Sequence, residues 1–149
     1  MRYAEKTSVN VGKTKQDIEK VLNKYGTTDF AYMSGVGNAM VGFIFKGITY
    51  KLSLFLPDPA STEFTHTSQG RERKTEAIMK SWEQACRSRW RALYLLIKAT
   101  LEAVEIGVVT FEEAFMSHTL LPDGSTIGQK MVPMLEAAVK KGVLPKLLT

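Results

Sequence analysis

Arg71–Glu105, RERKTEAIMKSWEQACRSRWRALYLLIKATLEAVE, is the stretch that decides the fold. Met79, Trp82, Cys86, Trp90, Leu93, Ile97, Leu101 and Val104 recur at steps of three and four. That spacing is the apolar stripe of one long amphipathic helix, predicted over residues 71–106. Arg73, Lys80, Arg87, Arg91 and Lys98 recur at steps of seven and four on a different face. Residues 71–91 hold seven basic side chains against three acidic ones. Arginines early in a helix oppose its dipole, which favours acids there. The stretch therefore reads as a rod with a core side and a basic side, able to present charge to a polyanion.

Working backward from the rod, Ile48–Leu56 alternates: Ile48, Tyr50, Leu52, Leu54 and Leu56 against Thr49, Lys51 and Ser53. Lys46-Gly47 is a tight-turn candidate joining it to the apolar run Ala39–Phe45, and Ser34–Asn38 joins that run to Thr28–Met33. This order predicts an antiparallel meander with at least one buried face. Thr14–Tyr25 reads as a helix capped by Thr14 and stopped by Gly26, and Glu5–Val11 as a short edge strand. Residues 57–70 lack periodicity and read as a long loop.

Beyond the rod, Gly107 is a helix stop, and Thr110–Ser117 a short helix with a capping box between Thr110 and Glu113. Ser125–Lys140 is a last helix, broken or bent near Pro133, with an apolar tail at 144–148. The fold class is α+β: a three- to four-stranded antiparallel meander with one N-terminal helix, one long helix and a small helical C-terminal region. A chain of 149 residues is read as one domain, with a sheet and helix core over 1–106 and a helical extension over 107–149.

The net charge is +5 and the pI near 9.3, which favours an anionic partner. No apolar run approaches the length of a membrane span, and the N-terminus carries no signal-peptide pattern. With the single Cys86, this predicts a cytoplasmic protein and no membrane partner. The spacing of His66, His118 and Cys86 matches no metal motif, so neither metal nor cofactor is expected. Glu63 and His66, with nearby Glu72 and Glu76, are the carboxylate-and-imidazole set a small metal-dependent nuclease would use. Carboxylates in a loop and at a helix start are more simply solvated, so the chain does not read as an enzyme.

Nucleic acid is the favoured partner. Lys46, Lys51, Arg71, Arg73, Lys74, Lys80, Arg87 and Arg91 are the candidate phosphate contacts, and Tyr32, Phe45 and Tyr50 the candidate base platforms. Against this, Glu76–Lys80 and Glu83–Arg87 are favourable i,i+4 pairs that would neutralise part of the stripe. A sheet under helices also needs most of its aromatics as core. Trp82 and Trp90, on the apolar stripe, read as core or subunit contacts. A rod longer than a small sheet can cover predicts a homo-oligomer.

The segments Arg89–Glu105, RWRALYLLIKATLEAVE, then TFEEAF from Thr110 and LLPDGSTIG from Leu120, together with VGKTKQDIEKVLNKYGT from Val11, resemble a widespread family of small tailed-phage and prophage proteins. That resemblance implies a phage origin and no settled activity. The meander-then-long-helix order is similar, in topology only, to phage single-strand annealing proteins of the RecT, Red-beta and Erf kind. Their role implies single-stranded DNA binding and annealing in recombination, without sequence specificity and as an oligomer. The order also resembles double-stranded-RNA-binding domains, although the long helix exceeds theirs. The alternative expectation is a phage protein that binds and modulates a host protein through its apolar tail and Trp-bearing helix.

Overall fold

The computed structural model describes residues 4–143. Its elements are α1 (Val11–Asn23), β1 (Thr28–Gly35), β2 (Asn38–Phe45), β3 (Ile48–Phe55), α2 (Thr62–Thr65), α3 (Thr75–Ile106), α4 (Phe111–Ala114) and α5 (Ile127–Lys141), with a 3-10 turn at Met116–His118. The three strands form one antiparallel sheet in the order β1-β2-β3. This is the α+β meander expected. The edge strand at 5–11 does not form: those residues are turn, irregular chain and the start of α1.

The cap of α1 is Asn10, whose Oδ1 accepts from the Lys13 N–H at 2.7 Å. Thr14 was expected there, but it is fully buried one turn inside, on the same face as Ile18 and Leu22. An N-cap must satisfy the exposed donors of the first turn, and Asn10 sits where it can. The β2–β3 turn is Lys46-Gly47 with both φ positive, at 49° and 78°. That pair gives the primed hairpin turn whose twist matches the strands.

Phe43 pairs with Tyr50 and Val41 with Leu52, so one sheet face carries Val41, Phe43, Tyr50 and Leu52. That face is covered by Ile18 and Leu22 of α1, by Trp90, Leu93, Ile97 and Leu101 of α3, and by Phe111 and Phe115. Phe111 stacks on Phe45 at 3.9 Å between ring centroids and meets Phe43 and Tyr50 edge-on. Through Phe111 and Phe115, the segment just after Gly107 thus shares the core of the sheet. Burying rings of this size contributes roughly 2–3 kcal/mol each before entropy. The opposite sheet face stays open, with Met33, Ser53 and Phe55 exposed. The fourth strand of the expected range is a single bridge: Thr119 lies against Tyr50, and the Leu120 N–H donates to the Thr49 carbonyl at 2.8 Å.

The loop at 57–70 is ordered by α2, by a bridge between His66 and Glu72, and by the Trp82 indole donating to the Pro57 carbonyl at 2.6 Å. The long helix begins at Thr75, so Arg71 and Arg73 belong to the loop and not to the rod. It ends at Gly107 with φ 90°, whose N–H returns to Ala103 and Val104. Its 32 residues span roughly 48 Å. The last helix starts at a capping box of Thr126 and Gln129 and runs through Pro133 without a break. Proline removes one backbone donor there, and the neighbouring turns hold the helix regardless. The apolar tail at 144–148 lies outside the described residues.

Candidate nucleic-acid interface

The expected phosphate contacts do not share one surface. Lys80 and Arg87, with Arg89, line an open groove between the first half of α3 and the loop at Pro57 and Phe64. Arg71 and Lys74 are exposed at the entrance to α3. Lys46 is exposed on the hairpin turn, its ammonium over the Phe45 ring at 5.3 Å. Lys51 is on the open sheet face, donating to the Gly124 carbonyl at 3.1 Å.

Four of the eight, Lys51, Arg73, Arg87 and Arg91, donate to acceptors within the protein, and Arg73 and Arg91 are taken up by neighbouring elements, which corrects the reading of one continuous basic stripe. The Arg73 guanidinium donates to the carbonyls of Phe64 and Ala77 and to Ser81 Oγ, the last at 2.8 Å. It clasps α2 to α3. Arg91 Nη1 donates to Asp17 Oδ2 at 2.9 Å, and its guanidinium lies 4.1 Å from the Tyr94 ring centroid. Lys13 takes the other Asp17 oxygen at 2.7 Å. Those two hydrogen bonds hold the Asp17 carboxyl below its ordinary pKa. Periodicity of seven brought Arg73 and Arg91 into the stripe, but the spacing of one helix is silent about what other elements bring against it.

The expected i,i+4 pairs do not form either. Arg87 turns to Gln84 Oε1, and its Nε–H is covered without a partner among the described residues. Gln84 in turn donates to the Thr7 carbonyl at 2.8 Å, which fastens the N-terminal segment beside the groove. Glu63 and Glu5 sit on the groove wall and temper its positive charge.

Two of the three expected base platforms are core. Tyr50 is 1% exposed and Phe45 8%. Burial and nearby Glu112 push the Tyr50 phenol pKa up. Tyr32 is half-buried, its hydroxyl bonded to the Lys15 carbonyl at 3.1 Å and to Glu19. Burial, then Glu19, raise its pKa far above the usual value. Tyr50 and Phe45 are too buried to stack on a base, and the Lys15 ammonium lies 5.6 Å from the Tyr32 ring centroid. Among the described residues the exposed aromatic is Phe55, 81% exposed on the open sheet face near Met33, Met40 and Lys51. The signal was present: Phe55 continues the Thr49, Lys51, Ser53 phase of β3, away from the core.

The carboxylate-and-imidazole set is dispersed as well. His66 Nδ1 bonds Thr65 Oγ1 at 2.7 Å, and Glu63 lies near it on α2. Among the described residues no three His, Cys, Asp or Glu side chains converge as metal ligands. Burial raises the Cys86 pKa and lowers that of His118. No helix of the described residues is long and apolar enough to cross a membrane. No protein-family model, no curated protein and no solved structure matches the chain.

Proposed function

We propose that this protein binds nucleic acid without sequence specificity, single-stranded DNA in preference, acting as an oligomer in phage recombination. The observation that carries the reading is the groove along the first half of α3, lined by exposed Lys80 and Arg89 and half-exposed Arg87, with Arg71 and Lys74 exposed just before the helix. Cations along an open groove neutralise successive phosphates and release counterions, so affinity depends steeply on salt. Phe55 and Lys51, on the open sheet face, supply a ring for base stacking beside a cation. Arg73, Arg91, Tyr32, Phe45 and Tyr50 take no part in this version of the interface. The phage context rests on the sequence resemblance alone.

The test is fluorescence anisotropy with labelled single- and double-stranded oligonucleotides across a salt series. Wild-type protein should bind the single strand more tightly, with affinity falling as salt rises. Charge reversal at Lys80 and Arg87 together should weaken binding about uniformly over sequences and reduce the salt slope by roughly two. Binding unchanged by that double reversal, or no binding at low salt, would remove the reading.

A second reading, binding to a host protein, is favoured by α5. Met131, Val132, Met134, Leu135 and Val139 are exposed along it, and none of its residues is buried. A helix this apolar and this uncovered is a surface for another chain.

A further inference from the structure

Residues 4–9 cross α3 before α1 begins. The Gln84 amide pins them there, donating to the Glu5 carbonyl at 3.2 Å and the Thr7 carbonyl at 2.8 Å. On one side of the crossing is the groove of Lys80, Arg87 and Arg89. On the other is a separate open hollow of about 440 Å³, and Ala4 borders both. The charged residues lining the hollow are Lys6 from the crossing segment and Arg91 and Lys98 from α3, with no carboxylate among them. The groove, by contrast, has Glu5 and Glu63 on its wall.

Lys6 and Lys98 are exposed, and neither makes an ion pair among the described residues. Arg91 is set in place by Asp17 and by the Tyr94 ring, so its guanidinium is oriented before any ligand arrives. Of its five N–H donors, the bond to Asp17 uses one. Thr7 and Ser8 add hydroxyl groups to the same wall. Val9 also borders the hollow, and α1 starts two residues later with no acid in its first turn. The positive end of that helix adds to the potential. A cleft lined by one sign of charge focuses the field and concentrates counter-ions. Lysine holds phosphate as a point charge, and a fixed guanidinium does so as a planar fork.

We infer that this hollow binds a phosphate group, held by Lys6 and Lys98 beside the fixed Arg91 guanidinium. Arg91 lies over the Tyr94 ring, so recognition rests on charge and not on stacking of a base. The phosphate belongs either to a free phosphate compound or to the backbone of a strand, and the chemistry is the same for both. The site is separate from the groove and does not rest on it.

The test uses the full chain at low salt with two probes, pyrophosphate and a labelled single-stranded oligonucleotide. A bound probe should shift backbone amide signals at residues 6–9 and 91–98. Lys6→Gln with Lys98→Gln, both at exposed sites and with folding checked by circular dichroism, should weaken binding by at least about tenfold. Lys140→Gln with Lys141→Gln removes the same charge from exposed positions of α5 and should matter far less. Loss of pyrophosphate binding in the first pair assigns a free phosphate compound. Loss confined to the oligonucleotide assigns backbone phosphate, and either result supports the site. No binding of either probe, equal effects of the two pairs, or amide shifts confined to residues 80–89 would each overturn it. The groove is judged by Lys80 and Arg87, so failure here leaves that reading to its own measurement.

Discussion

Asp17 is where the sequence hid the most. It holds Lys13, one turn back in α1, and Arg91, from the middle of α3. Its depressed pKa means that the folded state binds the Asp17 proton less readily than the unfolded chain does. The contribution to stability is therefore fully present above the ordinary carboxylate range and is lost as pH falls through it. Asp17→Asn should cost about 1–3 kcal/mol at pH 7, because Arg91 is left half-covered without its charged acceptor. The cost should shrink as pH drops from about 5 toward 3, and urea titrations of both proteins over that range check it. Residue types made some positions legible. Gly26 and Gly107 were readable as helix stops because only a residue free of Cβ strain takes their φ of 86° and 90° cheaply. Nothing in the spacing of Arg91 announced Asp17. The partner of a side chain is set by which elements meet, and that is not a local property.

At the scale of elements, patterns that repeat were legible and single contacts were not. The stripe of α3 and the alternation of β3 each follow from which side faces the core, so periodicity revealed both. The loop at 57–70 carries no repeat, and its order comes from individual bonds to α3. Arg73 is the main one. Arg73→Ala should loosen α2 and the bridge between His66 and Glu72 while α3 stays helical. Hydrogen exchange should then speed at residues 62–67 and change little at 90–101, where the core helix is buried. If Arg73 instead served phosphates, the same change would leave exchange alone and lower nucleic-acid affinity. The candidate groove was half legible for a related reason. The density of cations marked the first half of α3, but a heptad count could not separate Lys80 and Arg87, which line the groove, from Arg73 and Arg91, which neighbouring elements occupy.

The whole molecule is a one-sided sheet whose covered face draws on both ends of the chain. Ile18 and Leu22 come from α1, Phe111 and Phe115 from beyond Gly107, and all lie in one cluster. The expectation of a single domain rested on length. What length could not foresee is that α5 would leave that cluster while α4 joined it. A fragment of residues 1–70 keeps α1 and all three strands but loses every α3 side chain over the sheet. It should show no cooperative thermal transition by circular dichroism, whereas the full chain melts in one step. The bond from the Tyr25 hydroxyl to the Leu101 carbonyl, 3.0 Å long, joins residues 76 positions apart. On a ribosome adding about 5–20 residues per second, that interval takes roughly 4–15 s. For that time α1, and for the later part of it the hairpins, are outside with their apolar faces bare. A nascent chain of this protein is then a client for whatever shields unfinished sheets, until the rod arrives to close it.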